Sequence, residues 1–195
     1  MGWAGRISGI IACMEFGMGL PLGGPIDPSE LKDVAQTLDG AGVNFVTLAG
    51  HMLSSETGRF PDRPEGTYAG VYLDPLTTFS WLAASTTHLQ FMTGVLIAPL
   101  YPTPLLAKQC AQLSILSGGR FTLGIGISWN DAEYQALNQD IHRRGRRMEE
   151  QIVVLRKLWT EPFVTFEGRF HKLEGVGLKQ LPVPIPIWMG TGTGE

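Results

Sequence analysis

Residues 118–130, Gly-Gly-Arg-Phe-Thr-Leu-Gly-Ile-Gly-Ile-Ser-Trp-Asn, contain the pattern that decides the fold. An apolar, β-rich run over residues 121–127 ends in small residues, and Asn130-Asp131-Ala132-Glu133 then has the pattern of a capped helix start. In α/β proteins, backbone amides and side chains converge where a strand stops and its helix begins. The stretch therefore predicts a strand that leads into a helix, with a candidate site between them.

The bulk composition excludes several classes of protein. A chain of 195 residues suits one globular domain with a sizeable core, or part of a larger domain. Its net charge of -3 gives no general attraction to nucleic acid or to an anionic membrane. No apolar run reaches the roughly 20 residues that span a bilayer. The basic run at residues 143–147 is expected to be a solvated helix start.

The cysteines and histidines favour neither a disulfide framework nor a metal site. Cys13 and Cys110 are the two cysteines of the chain, which suits a reducing cytoplasm. They show no metal-ligand spacing with the four histidines, so no metal is expected. The cytoplasm is the expected location.

One unit recurs along the chain: an apolar strand, a loop and a capped helix. The predicted strands are residues 15–20, 44–49, 89–97, 121–127 and 185–189. Helices are predicted to begin at Asp27, Asp74, Thr103, Asp131 and Arg144, and a hairpin-like excursion covers residues 163–173. Alternating strands and helices imply a parallel sheet with right-handed crossovers. Periodicity alone does not separate a barrel from a doubly wound open sheet.

Seven pieces of sequence carry a family resemblance, in one order and at one spacing over residues 14–192. They are residues 14–21, 93–96, 106–109, 116–121, 124–130, 144–151 and 184–190. Together they resemble the bacterial luciferase-like monooxygenase superfamily, and most closely its coenzyme F420-dependent oxidoreductase branch.

The resemblance implies an α/β fold of the TIM (β/α)8 barrel type, of which this chain covers about the first five β/α units. Residues 14–195 would form the partial barrel domain, and residues 1–13 an N-terminal extension. Without strands six to eight, two parallel edges are left unpaired. We therefore expect either a fragment of a longer gene product or a second chain that closes the barrel.

The resemblance points to His51 as the catalytic residue. In F420-dependent relatives a His here lies beside the deazaflavin and is proposed to handle a proton during hydride transfer, which suits imidazole. The alternative is a histidine that caps the strand end or binds loop carbonyls. Relatives usually carry an acidic residue before this His, at a position that contacts the cofactor. This chain has Gly50 there, which lacks the acidic side chain that makes the contact.

Further cofactor contacts are implied at the ends of strands three and four. Gly94, Val95 and Ile97 match cofactor-binding positions, and Gly94-Val95 matches a site that often holds a non-prolyl cis peptide supporting the deazaflavin. The alternative there is a small residue in a tight barrel. Asn130 matches a cofactor-contacting Asn and equally suits a helix cap.

The last implied contacts follow strand five. Gly190, Thr191 and Gly192 match the loop that binds the cofactor phosphate through backbone amides. Trp129 and Trp188 flank the site loops and are expected to pack in the core.

The leading hypothesis is an F420-dependent oxidoreductase that moves a hydride between the deazaflavin and a small organic substrate. One alternative is an FMN-dependent luciferase-like monooxygenase, and another is a truncated, non-catalytic fragment. Ile127 stands where sugar-phosphate-oxidising relatives have a catalytic Glu, which argues against that chemistry. The resemblance also leaves a homodimer open.

Overall fold

The computed structural model describes residues 15–20, 27–56, 58–62 and 70–190. The α-helices are α1 (Pro28–Gly40), α2 (Pro75–Ala83), α3 (Thr103–Leu116), α4 (Asp131–Ala136) and α5 (Arg144–Thr160). The strands are β1 (Gly17–Gly19), β2 (Phe45–Gly50), β3 (Gln90–Ile97), β4 (Phe121–Gly126), β5 (Val164–Glu167), β6 (Lys172–Val176) and β7 (Ile187–Met189).

Five strands form one parallel sheet in the order β1-β2-β3-β4-β7. The other two, β5 and β6, form a separate antiparallel pair between α5 and β7. The predicted parallel sheet and the predicted hairpin are thus both confirmed. The outer strands are shorter than predicted, since β1 and β7 each have three residues.

The predicted starts of α1 and α2 are set by side-chain caps. Asp27 accepts a hydrogen bond from the Ser29 amide, and Asp74 accepts one from the Thr77 amide. In both helices a proline follows the cap, where its missing N–H costs nothing and its fixed φ suits the first turn. These local signals explain why the helix starts could be predicted from sequence.

One face of the sheet is covered by the helices and forms the core. Its side chains alternate along the strands with those of the other face, as in any strand. On β3, Phe91 is buried and its ring lies 5.2 Å from that of Phe79 on α2. Phe121 pairs with Phe91 in the next strand, so one layer of aromatic residues continues across the sheet.

The opposite face is the one that points into the barrel, and it is more open. Met92 and Thr122 are paired on this side, since each follows a core-facing phenylalanine in its strand. Trp188 lies on the same side, paired with Gly124. Trp188 is 57% exposed, so the expectation that it packs in the core is wrong. The physical reason is its register opposite Gly124, which has no side chain to cover it. β1 and β7 are the two edges of the described sheet.

Arg120 closes the amino-terminal edge of the sheet. Its guanidinium lies 5.4 Å from the Phe91 ring centre and donates to three backbone carbonyls. These are the oxygens of Ser117 (2.7 Å), Leu89 (2.8 Å) and Ala83 (2.9 Å). A single side chain therefore connects the ends of α2 and α3 to the start of β3.

Candidate functional site

The carboxyl ends of the parallel strands bring most of the predicted site residues to one edge of the sheet. His51 follows β2, Gly94 and Val95 lie near the end of β3, Asn130 follows β4, and Gly190 follows β7. Thr191 and Gly192 lie outside the described residues. In barrels this edge is where active sites form.

A bulge in β3 lies at the centre of this edge. The Gly94–Val95 peptide bond is cis, and the register with β4 shifts between Met92 and Leu96. The pairing with β2 shifts at the same level, between Leu48 and Gly50. The Val95 side chain lies beside Gly126 and Gly190, at the ends of β4 and β7.

Gly50 is required by the close approach of β3. A Cβ at this position would lie 2.7 Å from Leu96 Cα and 3.0 Å from the Val95 carbonyl oxygen. Real Cβ atoms do not approach backbone so closely. The backbone therefore leaves no room for the acidic side chain that the family resemblance led us to expect before the histidine, and any cofactor contact at Gly50 would come from its backbone.

Val95 fills a space between two other glycines. A Cβ on Gly126 would lie 2.8 Å from Val95 Cγ2, and one on Gly190 would lie 3.1 Å from Val95 Cγ1. Gly190 is held beside β4 because its amide donates to the Ile125 carbonyl at 2.9 Å. Ile97, by contrast, pairs with Gly126, and its side chain belongs to the buried core.

Asn130 is buried and caps α4, as its sequence pattern predicts. Its Oδ1 accepts the Ala132 amide at 3.1 Å. Its Nδ2 is also buried and has no hydrogen-bond partner among the described residues. An unpaired buried donor is costly in a folded protein, and a bound acceptor oxygen would satisfy it.

The loop before Asn130 is fixed by groups from two helices. The Tyr134 hydroxyl on α4 donates to the Ile127 carbonyl, and Arg144 Nε at the start of α5 donates to the Ser128 carbonyl at 3.0 Å. Arg147 likewise turns inward and donates to the Pro99 carbonyl at 3.1 Å. The basic run at residues 143–147 is therefore not simply solvated, because two of its arginines bind carbonyls at strand ends.

His51 is paired with a buried carboxylate that the sequence interpretation did not identify as a site residue. His51 Nδ1 lies 2.9 Å from Oε2 of Glu133, whose side chain is 1% exposed. Glu133 Oε1 accepts the amides of Met52 at 2.7 Å and Leu53 at 3.3 Å. In the sequence Glu133 appeared only as part of a helix-capping pattern. The sequence signal that could have identified Glu133 is its place in the first turn of the helix after β4. That turn lies at the carboxyl edge of the sheet, where His51 also lies.

Two aromatic contacts involve residues that follow β2 and β4. The Tyr72 ring centre lies 5.1 Å from that of His51, and Phe60 meets Trp129 edge-on at 5.0 Å. Arg59 also forms an exposed ion pair with Asp131, at 3.5 Å. Trp129 is thus half-buried against a loop residue and not within the main core.

A second His–Glu pair, with His171 buried and Glu150 partly buried, involves the β5–β6 hairpin. His171 Nδ1 is 2.8 Å from Glu150 Oε1, and its Nε2 is 2.5 Å from Thr103 Oγ1. Glu150 also accepts the amides of Arg169 and Phe170. This pair therefore fastens the β5–β6 hairpin to α3 and α5.

Metal-ligand clusters and membrane-spanning helices are both absent from the described residues. Within residues 15–20, 27–56, 58–62 and 70–190, no group of three or more His, Cys, Asp or Glu residues is placed to hold a metal ion. Across those same ranges no helix has the length and apolar character that crossing a membrane requires.

The parallel sheet, with its strands in chain order and polar groups at its carboxyl edge, defines an α/β protein. Residues 8–195 match the family model for luciferase-like monooxygenases, and the chain belongs to this family. Its fold is the luciferase-like TIM barrel, in part.

Individual relatives use two kinds of cofactor. The chain is 28% identical over 169 residues to an F420-dependent glucose-6-phosphate dehydrogenase of Kineococcus radiotolerans. The aligned region covers 85% of this chain and 47% of that protein. It is 34% identical over 108 residues to an FMNH2-dependent dimethylsulfone monooxygenase of Pseudomonas fluorescens, which is 54% of this chain and 29% of that protein.

The solved structure of monooxygenase RslO1 from Streptomyces bottropensis superposes with a TM-score of 0.70 and 27% identity, covering 89% of this chain and 53% of that one. The chain thus spans about half the length of the longer relatives it matches. A luciferase-like oxidoreductase that uses a flavin or deazaflavin is the class these relatives define.

Proposed function

We propose that this protein is an F420-dependent oxidoreductase that transfers a hydride between the deazaflavin and a small organic substrate. The observation that supports this most is the position of His51 at the carboxyl end of β2, with its Nδ1 held by the buried Glu133. A fixed imidazole at this edge can exchange a proton with a substrate hydroxyl or carbonyl. When bound, F420 would supply the hydride chemistry.

The residues of the edge fit a deazaflavin by their own chemistry. The unpaired Nδ2 of Asn130 offers a donor to a cofactor oxygen. The bulge at Gly94-Val95 would support the ring, and Gly190, with the predicted Thr191 and Gly192, would receive the phosphate. Ile127 in place of an acid favours a substrate other than a sugar phosphate.

The proposal is tested first by cofactor binding. Purified protein is titrated separately with F420 and with reduced FMN. We expect binding of F420 and a loss of at least about tenfold in affinity for Asn130→Asp, because the aspartate keeps the helix cap but replaces the donor with an acceptor. An unchanged melting temperature for this variant would confirm that the cap is intact.

Turnover is the second test. With F420 and a panel of small alcohols and carbonyl compounds, His51→Gln should lower kcat by about 10²–10⁴-fold while F420 affinity stays within a few-fold. His88→Gln, at an exposed histidine near the opposite end of the sheet, is the matched control. A fully active His51→Gln enzyme would contradict the proposed role.

The FMN-dependent monooxygenase remains the second candidate. The monooxygenases among the relatives favour it, since they include the FMNH2-dependent protein of P. fluorescens. Tight binding of reduced FMN without F420 binding would replace the first proposal by this one. Binding of neither cofactor would favour the non-catalytic interpretation.

Two further properties are proposed on narrower grounds. The buried, free thiol of Cys110 supports a location in the cytoplasm. The small-molecule substrate follows from the proposed reaction, and a homodimer stays a prediction.

A further inference from the structure

The Glu133 side chain is hydrogen-bonded through both of its carboxylate oxygens. Its carboxylate receives three donors: the ring of His51 on one oxygen, and the amides of Met52 and Leu53 on the other. It lies in the first turn of α4, where a negative charge is favoured by the helix dipole. One buried residue thus holds both the ring of His51 and the backbone that follows it.

The carboxylate is ionised under ordinary conditions. Burial by itself would raise the pKa of Glu133, but the hydrogen bonds from His51 and from the Met52 and Leu53 amides outweigh it and lower the pKa below 4.5. An ionised carboxylate only accepts hydrogen bonds. His51 Nδ1 must therefore carry the hydrogen that joins the two side chains.

This arrangement fixes the chemistry of the other ring nitrogen. A neutral imidazole has one N–H and one lone pair, so a proton at Nδ1 leaves the lone pair at Nε2. Tyr72 packs against the ring and limits its rotation. The tautomer and the orientation of the ring are thus set before any substrate arrives.

We propose that Glu133 is the positioning residue of His51, holding it as the Nδ1–H tautomer so that Nε2 exchanges the substrate proton. This deepens, and rests on, the proposed hydride-transfer function. In the oxidation of an alcohol, Nε2 would take the O–H proton as the C=O bond forms, and oxidised F420, when bound, would supply the acceptor for the hydride that leaves the carbon. The reverse reaction returns the proton from Nε2.

A glutamine at position 133 reverses the tautomer for a specific reason. The amides of Met52 and Leu53 are both donors, so they require the carbonyl oxygen of the glutamine. Its NH2 group then faces His51 Nδ1, which has to accept. The proton of a neutral ring moves to Nε2, where it blocks acceptance of a substrate proton.

The test is 15N NMR of the histidine-labelled full chain without cofactor, at about pH 8, above the ordinary titration range of imidazole. We expect His51 as the Nδ1–H tautomer in the unmodified protein and as the Nε2–H tautomer in Glu133→Gln. Glu150→Gln makes the same change in the second His–Glu pair, and should alter the His171 signals while leaving those of His51 in place. An Nε2–H tautomer of His51 in the unmodified protein would overturn the proposal even where the variant does not fold.

Turnover then separates positioning from structural support. With F420 and an alcohol that the protein oxidises, Glu133→Gln should lower kcat about 10²–10⁴-fold with KM within a few-fold, and Glu133→Asp should recover part of kcat. An active Glu133→Gln enzyme with the reversed tautomer would sink the proposal. The NMR result needs no cofactor, so absence of F420 turnover would refute the proposed function and leave the tautomer assignment standing.

Discussion

Replacing Gly50 by alanine is the sharpest test of the geometry beside His51. The added Cβ would lie 2.7 Å from Leu96 Cα, so β3 has to move away from β2. Overpacking of this kind costs about 1–3 kcal/mol. The φ angle of Gly50 is not positive, so the alanine recovers up to about 1 kcal/mol from the reduced entropy of the unfolded chain. From the middle of both ranges we expect a net loss of about 1–2 kcal/mol.

The assay is thermal unfolding of the purified protein, followed by circular dichroism. For a chain of this size the expected loss corresponds to a decrease in Tm of about 2–8 °C. Gly40→Ala is the matched control, since a Cβ there meets nothing within 4 Å, and it should leave Tm equal or raise it by a few degrees. A Tm for Gly50→Ala at or above that of the unmodified protein would refute the reasoning, because β3 would then be free to withdraw without cost.

Three further outcomes follow from the charged groups. Arg120→Lys keeps the charge but loses the planar guanidinium that donates to three carbonyls. Its free energy of unfolding, measured by urea denaturation, should fall by about 1–3 kcal/mol. Arg146→Lys, on the exposed face of α5, is the control and should change this free energy little. Burial lowers the pKa of His171 below 6.5, so the native state disfavours its protonation. Its contribution to stability is complete above 6.5 and is lost as the pH falls through the native pKa. In thermal melts recorded below pH 6.5, the Tm of His171→Gln should therefore fall less steeply with decreasing pH than that of the unmodified protein. His142→Gln is the control. The lowered pKa of Glu133 gives stability that is present above pH 4.5 and is lost as the pH falls below it. In an acid titration, the stability of Glu133→Gln should therefore fall less steeply with pH in this range.

The fold could be predicted because its signals are local. Asp27-Pro28 and Asp74-Pro75 place two helix starts, and the apolar run of β4 with its small residues places a central strand. What sequence periodicity left open was the exposure of individual edge residues. Trp188 is apolar and aromatic, yet its burial depends on what lies opposite it, and that neighbour is Gly124.

The candidate site residues were predicted from the family resemblance, at positions that follow their own strands. His51 and Asn130 were predicted in this way. Glu133 was not, because its partners lie about 80 residues earlier in the chain and no spacing rule connects them. The reason that position 50 is glycine was also hidden, since it depends on the approach of a neighbouring backbone at Leu96.

The packing of Val95 has a consequence for how this edge tolerates change. Its two methyl groups occupy the spaces that side chains on Gly126 and Gly190 would need. The three positions are therefore epistatic: alanine at either glycine should be harmful beside valine and tolerated beside a smaller residue at 95. A pairwise mutational scan should find strong positive coupling between Val95→Ala and Gly126→Ala, although the two residues belong to different strands.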